Sequence, residues 1–95
     1  MSEVLAAAVE ALNKRLSGGF PGVAKFVIEG EGAIMLDASG ARIGDEEADV
    51  TLSASRETFE GLLRGEVNPT SAFMTGKLAV DGSMGMAMQL GSALS

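Results

Sequence analysis

The chain has no cysteine and no histidine among its 95 residues. Those two absences exclude a thiolate nucleophile, a disulfide framework and a Cys/His zinc site. A Ser–His–Asp triad is impossible, and no Gly-x-Ser-x-Gly elbow occurs. Cysteine usage gives no sign of an oxidising compartment. Positive charge is also scarce: 7 Lys and Arg stand against 13 Asp and Glu, for a net charge of −6. The electrostatic term that dominates nucleic-acid binding is then repulsive, as is basic docking on anionic lipid. Nucleic acid is not an expected partner, and membrane contact is expected to be transient at most. No apolar run approaches the ~18 residues of a membrane span. Met1-Ser2-Glu3-Val4 lacks a basic region before an apolar core, so no signal peptide is expected and the cytoplasm is the expected location.

What is present is ordinary for a folded domain. Hydrophobic residues make up 46% of the chain, which argues against disorder. The length implies one domain, 1–95, burying roughly 60–65% of its unfolded surface. Leu5, Val9, Leu12 and Leu16 recur at helical spacing, widened by Val4 and Ala8. Ser2 reads as the cap of that helix and Gly18-Gly19 as its stop, with Pro21 just beyond.

Period-two segments follow. In Val23–Glu29, Phe26 and Ile28 alternate with Lys25 and Val27; in Ala33–Asp37, Ile34 and Leu36 oppose Met35 and Asp37. Gly30-Glu31-Gly32 between them is a hairpin signal, and Ser39-Gly40 turns the chain into Ala41-Arg42-Ile43. Ala48, Val50 and Leu52 alternate with Asp49, Thr51 and Ser53, as in a strand with one wet face. Ser55 caps a helix with Phe59, Leu62 and Leu63 on one side and Gly65 as its end. Asn68-Pro69 opens a shorter helix through Ala72, Phe73 and Met74. Lys77–Asp81 returns to strand period, and Gly82-Ser83 leads into a last helix from Met84 to Leu94. Sequential antiparallel strands with helices grouped on one face describe an α+β domain.

Sites for chemistry are thin. The acidic run Asp37, Asp45, Glu46, Glu47 and Asp49 fails the EF-hand template. Started at Asp37, that template places Ser39, Ala41 and Ala48 where ligands belong, and Arg42 where glycine belongs. A solvated loop explains it better. Glu46 and Glu47 are adjacent, without a sign of the cleft or pKa offset that acid–base work needs. Gly30-x-Gly32 joins two strands rather than opening a helix, so it is not a dinucleotide fingerprint. Gly82-Ser83-Met84-Gly85 has the GXXG spacing of a nucleic-acid clamp, but no basic residues stand near it.

The remaining signal is apolar. Four of six methionines, Met74, Met84, Met86 and Met88, fall between Phe73 and Met88. Methionine is adaptable and lines surfaces that accept more than one shape. On a helix, Met84 and Met88 share one face and Met86 and Leu90 another, so this helix needs cover on more than one side. From spacing alone it is either deep core or a helix with one flank on the sheet and the other on a ligand or partner.

The ordered run Ala48-Asp49-Val50-Thr51-Leu52-Ser53, Phe59, Leu62, Gly65, Pro69, Ala72-Phe73-Met74, Gly76-Lys77-Leu78, Val80, Gly82-Ser83-Met84 and Ala87-Met88 resembles the sterol carrier protein 2 domain, or non-specific lipid-transfer family. Phe26-Val27-Ile28-Glu29-Gly30-Glu31-Gly32 and Asp37 are similar to its first hairpin. The short form is similar to stand-alone bacterial members, and the Ser-Ala-Leu-Ser tail lacks a peroxisomal Ser-Lys-Leu address. The resemblance implies a five-stranded, mostly antiparallel sheet, helices on one face and an apolar tunnel between them. It implies non-catalytic carriage of a fatty acid, fatty acyl-CoA, sterol-like lipid or phospholipid, with the last helix as the tunnel's lid and no cofactor or metal. The expected lining is Met35, Phe59, Leu62, Phe73, Met74, Leu78, Met84 and Met88. No anion-binding group is evident for a head group. The alternative is an interaction module: a homodimer, or an accessory subunit in a lipid or quinone pathway, using the methionine face without cargo.

Overall fold

A computed structural model describes residues 3–94. Ser2, read above as a helix cap, lies outside the described residues, as does Ser95. The order is α1 (Glu3–Arg15), β1 (Ala24–Ile28), β2 (Gly32–Asp37), β3 (Gly40–Ile43), β4 (Val50–Ala54), α2 (Arg56–Arg64), α3 (Pro69–Met74), β5 (Leu78–Gly82) and α4 (Met84–Leu94). The five strands form one sheet in the order β3-β2-β1-β4-β5. This is the α+β architecture expected, with one correction to the strand path. After the β1–β2–β3 meander the chain does not continue antiparallel to β3. It crosses to the other side of β1, and β4 pairs with β1 in parallel.

That crossover aligns the inward residues of separate segments. Ile34, Phe26, Leu52 and Val80 are successive register partners across β2, β1, β4 and β5. Parallel to that row run Leu36, Ala24 and Val50, ending at Gly82. The helices pack on this face. Leu5, Ala8 and Leu12 of α1 join Phe26, Ile28, Ile34, Leu36, Leu52, Leu62, Leu90 and Leu94 in one buried cluster. The opposite faces of β1 and β4, with Lys25, Thr51 and Ser53, remain half-buried.

Local signals account for the ends of the elements. Ser55 Oγ accepts from Thr58 N at 3.2 Å, and Gly65, at φ +77°, closes α2 in the left-handed conformation that glycine adopts without a Cβ penalty. Asn68 Oδ1 accepts from Ser71 N, with Pro69 at the first helical position of α3. Asp49 holds three elements together. Its N–H donates to Val23 O, its carboxylate accepts from Val23 N, and its carbonyl accepts from Ser83 N at the start of α4. The backbone of Gly82 passes so close to this carbonyl that a Cβ there would lie 2.4 Å from it. At the other end of α4, the Arg15 guanidinium donates to Leu94 O at 2.6 Å and to Leu63 O at 2.8 Å. One cation thus ties the C-termini of α2 and α4 to α1, where the helix dipoles favour positive charge.

Candidate functional site

α3, α4 and the β1–β4–β5 part of the sheet enclose a cavity of about 420 Å³, within the size range of small-molecule sites. Its floor is the aligned row Phe26, Leu52 and Val80 with Leu78 beside it, and Leu62 and Leu94 close the inner wall. Phe73 and Met74 come from α3; Met84, Ala87 and Met88 come from α4. At the opposite end α3 begins against the last turns of α4, where Pro69 lies beside Gly91. A Cβ on Gly91 would meet Pro69 Cβ at 3.4 Å. Asn68, Thr70 and Ser92 supply the polar part of that end.

α4 divides its surface between the core and the cavity. Leu90 and Leu94 are buried, and Met86 and Ala87 pack partly against the core. The Met86 methyl group fills the space beside Gly22 that a side chain would otherwise occupy. Met84 and Met88 are left on the cavity side, 46% and 72% exposed. Phe73 and Met74, 42% and 79% exposed, face them across the opening.

Six of the residues expected at the lining meet at the cavity: Leu62, Phe73, Met74, Leu78, Met84 and Met88. The structure does not bring Met35 or Phe59 there. Met35 has the alternation of Lys25 and Arg42, its register partners, and so projects from the sheet face opposite the helices. It is fully buried under the loop after β3, where Glu46 N donates to its sulfur at 3.4 Å. Phe59 is buried outside the lining, its ring edge-to-face with Phe26 at 5.3 Å between centroids. Sequence reasoning missed Phe26, Leu52 and Val80 as a group. Their periodicity was readable, but their alignment depends on the parallel β1–β4 pairing.

Among the described residues no ionisable side chain lines the cavity. The groups with displaced pKa values lie elsewhere. Arg42 donates to Asp37 Oδ2 at 2.7 Å and Ser39 N donates to Asp37 Oδ1 at 2.9 Å, which together hold the Asp37 carboxyl below its ordinary value. Arg56 is raised by its hydrogen bond and charge pairing with Glu60 on α2. The acidic run is spent on surface pairs: Asp45 with Lys25, Glu46 with Arg42. Among the described residues no three acidic side chains converge as metal ligands. What the described lining offers is apolar burial and a small polar end.

Residues 3–95 match the SCP-2 sterol transfer family. The chain belongs to that family. Hydroxysteroid dehydrogenase-like protein 2 of Danio rerio is 40% identical to it over 77 residues, covering 73% of this chain and 19% of that protein. The chain spans less than a quarter of the length of the curated relatives it matches first. Sterol Carrier Protein-2 of Aedes aegypti, solved with palmitate, superposes with a TM-score of 0.80 at 20% identity over 100% of this chain and 97% of that one. UbiJ-SCP2, a ubiquinone synthesis protein, superposes at 0.67 with 19% identity over 99% and 93%. These likenesses are of fold: a five-stranded SCP-2 sheet with its helices on one face. No helix among the described residues is long and apolar enough to cross a membrane.

Proposed function

We propose that the chain, as one lipid-binding unit over 1–95, holds the apolar body of a lipid in this cavity and carries it through the cytoplasm without chemistry. The observation that carries the reading is an apolar, charge-free cavity whose opening is ringed by Phe73, Met74, Met84 and Met88. Palmitate bound to the Aedes aegypti relative supports a fatty acyl ligand here. Burial of alkyl surface contributes about 0.8 kcal/mol per methylene, so ten methylenes give about 8 kcal/mol before association costs. Net binding in the micromolar range, with loose specificity, is the expectation. With no cation in the lining among the described residues, a head group stays near solvent at the Asn68–Thr70 end or beyond the methionine opening.

Native purification followed by organic extraction and mass spectrometry tests this directly, together with displacement of a fluorescent fatty acid. Lipid recovered with a monomer supports carriage. Met84→Gln with Met88→Gln is expected to weaken probe uptake while far-ultraviolet circular dichroism is unchanged. Unaltered uptake in that variant removes these residues from the site.

A second reading has its own observation. Met74 and Met88 are exposed further than core packing explains, and an apolar rim of this kind also suits a protein partner. In that reading the domain is an assembly piece, as a likeness to a ubiquinone synthesis protein suggests. A lipid-free dimer that rejects the fluorescent fatty acid at tens of micromolar favours it over carriage.

A further inference from the structure

We propose that Met74, Met84 and Met88 form an oxidisable collar: a hydroperoxide converts their thioethers to sulfoxides, and the cavity then releases or refuses apolar ligands. This rests on the lipid-binding reading and adds a chemical control to it.

The first support is compositional. The chain has no cysteine, histidine, tryptophan or tyrosine, so the side chains that usually compete for oxidant are absent and thioether sulfur is the reactive group. The second is the division of the methionines by exposure. Met74, Met88 and Met84 are 79%, 72% and 46% exposed, whereas Met35 is fully buried with a hydrogen bond to its sulfur, and Met86 is half-buried against Gly22. Oxidant therefore reaches the cavity opening before it reaches the core. The third is position. Met74, Met84 and Met88, the exposed methionines among the described residues, all line this apolar cavity, on the two helices that face each other across its opening.

The chemistry balances simply. A sulfur lone pair attacks one peroxide oxygen, the S–O bond forms as the O–O bond breaks, and the departing oxygen takes up the proton. The thioether loses two electrons; hydrogen peroxide leaves as water, or an organic hydroperoxide as the alcohol. The product is a strong hydrogen-bond acceptor placed where no charged donor lines the wall. Covering it with an alkyl chain strips its water without replacement, which is unfavourable. The oxidised opening is wetted, while the buried core of α4, Leu90 and Leu94, is untouched.

The test uses the full chain and hydrogen peroxide. Peptide mass spectrometry along the titration should show oxygen added at Met74, Met84 and Met88 before Met35 and Met86. At that stage the Kd for a fluorescent fatty acid should rise about tenfold or more, a loss that polar-group desolvation readily supplies. Circular dichroism should stay unchanged, and methionine sulfoxide reductases should restore binding. Bound fatty acid should slow oxidation at Met84 and Met88. In the triple variant Met74→Leu, Met84→Leu, Met88→Leu, which keeps apolar volume, the affinity measured before peroxide, whatever its value, should be unchanged after it. Oxidation in no order, or unchanged affinity after oxidation of all three, overturns the collar and leaves the lipid-binding reading standing. Failure of the unoxidised chain to bind the probe removes both.

Discussion

Replacing Arg15 with Met tests what fixes the C-terminal end of α4. The substitution keeps most of the aliphatic stem and removes two hydrogen bonds, to Leu94 O at 2.6 Å and Leu63 O at 2.8 Å. A hydrogen bond from a charged donor contributes about 1.5–3 kcal/mol when sheltered. The Leu63 contact is exposed and the Leu94 contact half-sheltered, so solvent screening brings the pair to about 1.5–3 kcal/mol together. For a domain of this size that lowers Tm by about 6–24 °C. Thermal melts followed by circular dichroism read the global effect. Hydrogen exchange reads the local one, with faster exchange in the last turns of α4 and α2. Arg15→Lys should fall between the two, because one ammonium cannot reach both carbonyls with a planar fork. A melting temperature and α4 exchange equal to those of the parent chain would refute the clamp.

Two glycines near the start of α4 should respond oppositely. Gly82→Ala places a Cβ 2.4 Å from Asp49 O at φ +100° and should cost more than about 2 kcal/mol by denaturant titration, whereas Gly85→Ala meets nothing closer than Ser83 Oγ at 4.0 Å and should stabilise by about 0.5 kcal/mol. Equal effects would show that the β5–α4 turn is not constrained by Asp49. Asp37 has a lowered carboxyl pKa, so its pairing with Arg42 should favour the fold fully above the ordinary carboxylate range, about pH 4, and fade as pH falls through the lowered folded value. Parallel melts of the parent and Asp37→Asn between neutral and strongly acidic pH should therefore converge at the acidic end; a constant gap contradicts the assignment.

The elements were legible because their signals are local. Caps at Ser55 and Asn68, stops at Gly19 and Gly65 and the alternation of β1 through β5 depend on residues a few positions apart. What was not legible depends on a long-range choice. Nothing within Val50–Ala54 says that it pairs with β1 rather than β3, and that choice brings Phe26, Leu52 and Val80 into one floor. Met35 is a different lesson. Its alternation already set it opposite Ile34 and Leu36, and only its apolar character suggested the cavity. The loop carrying Glu46 buries it on the far face instead. Phe59 lies on the buried face of α2, but spacing along one helix does not reveal whether a buried side chain meets a cavity or the core. In this fold it meets the Phe26 ring, which itself lines the cavity.

The parallel β1–β4 contact also has a kinetic meaning. β1, β2 and β3 are joined by short turns and close quickly, while β4 can add to β1 only after the whole segment from Ile28 to Val50 has looped back. α4 is then seated by Asp49 at the head of β4 and by Arg15 at the end of α1, so both of its anchors come from parts of the chain that must already be in place. Half of the sheet forms as a local meander; the half that makes the cavity waits for the slow closure. A chain between those two stages would have a folded hairpin edge and no cavity, with Phe26 and Leu52 still open to solvent. In refolding, recovery of lipid uptake should therefore trail recovery of strand signal, and the interval between them is when the domain is most exposed to aggregation.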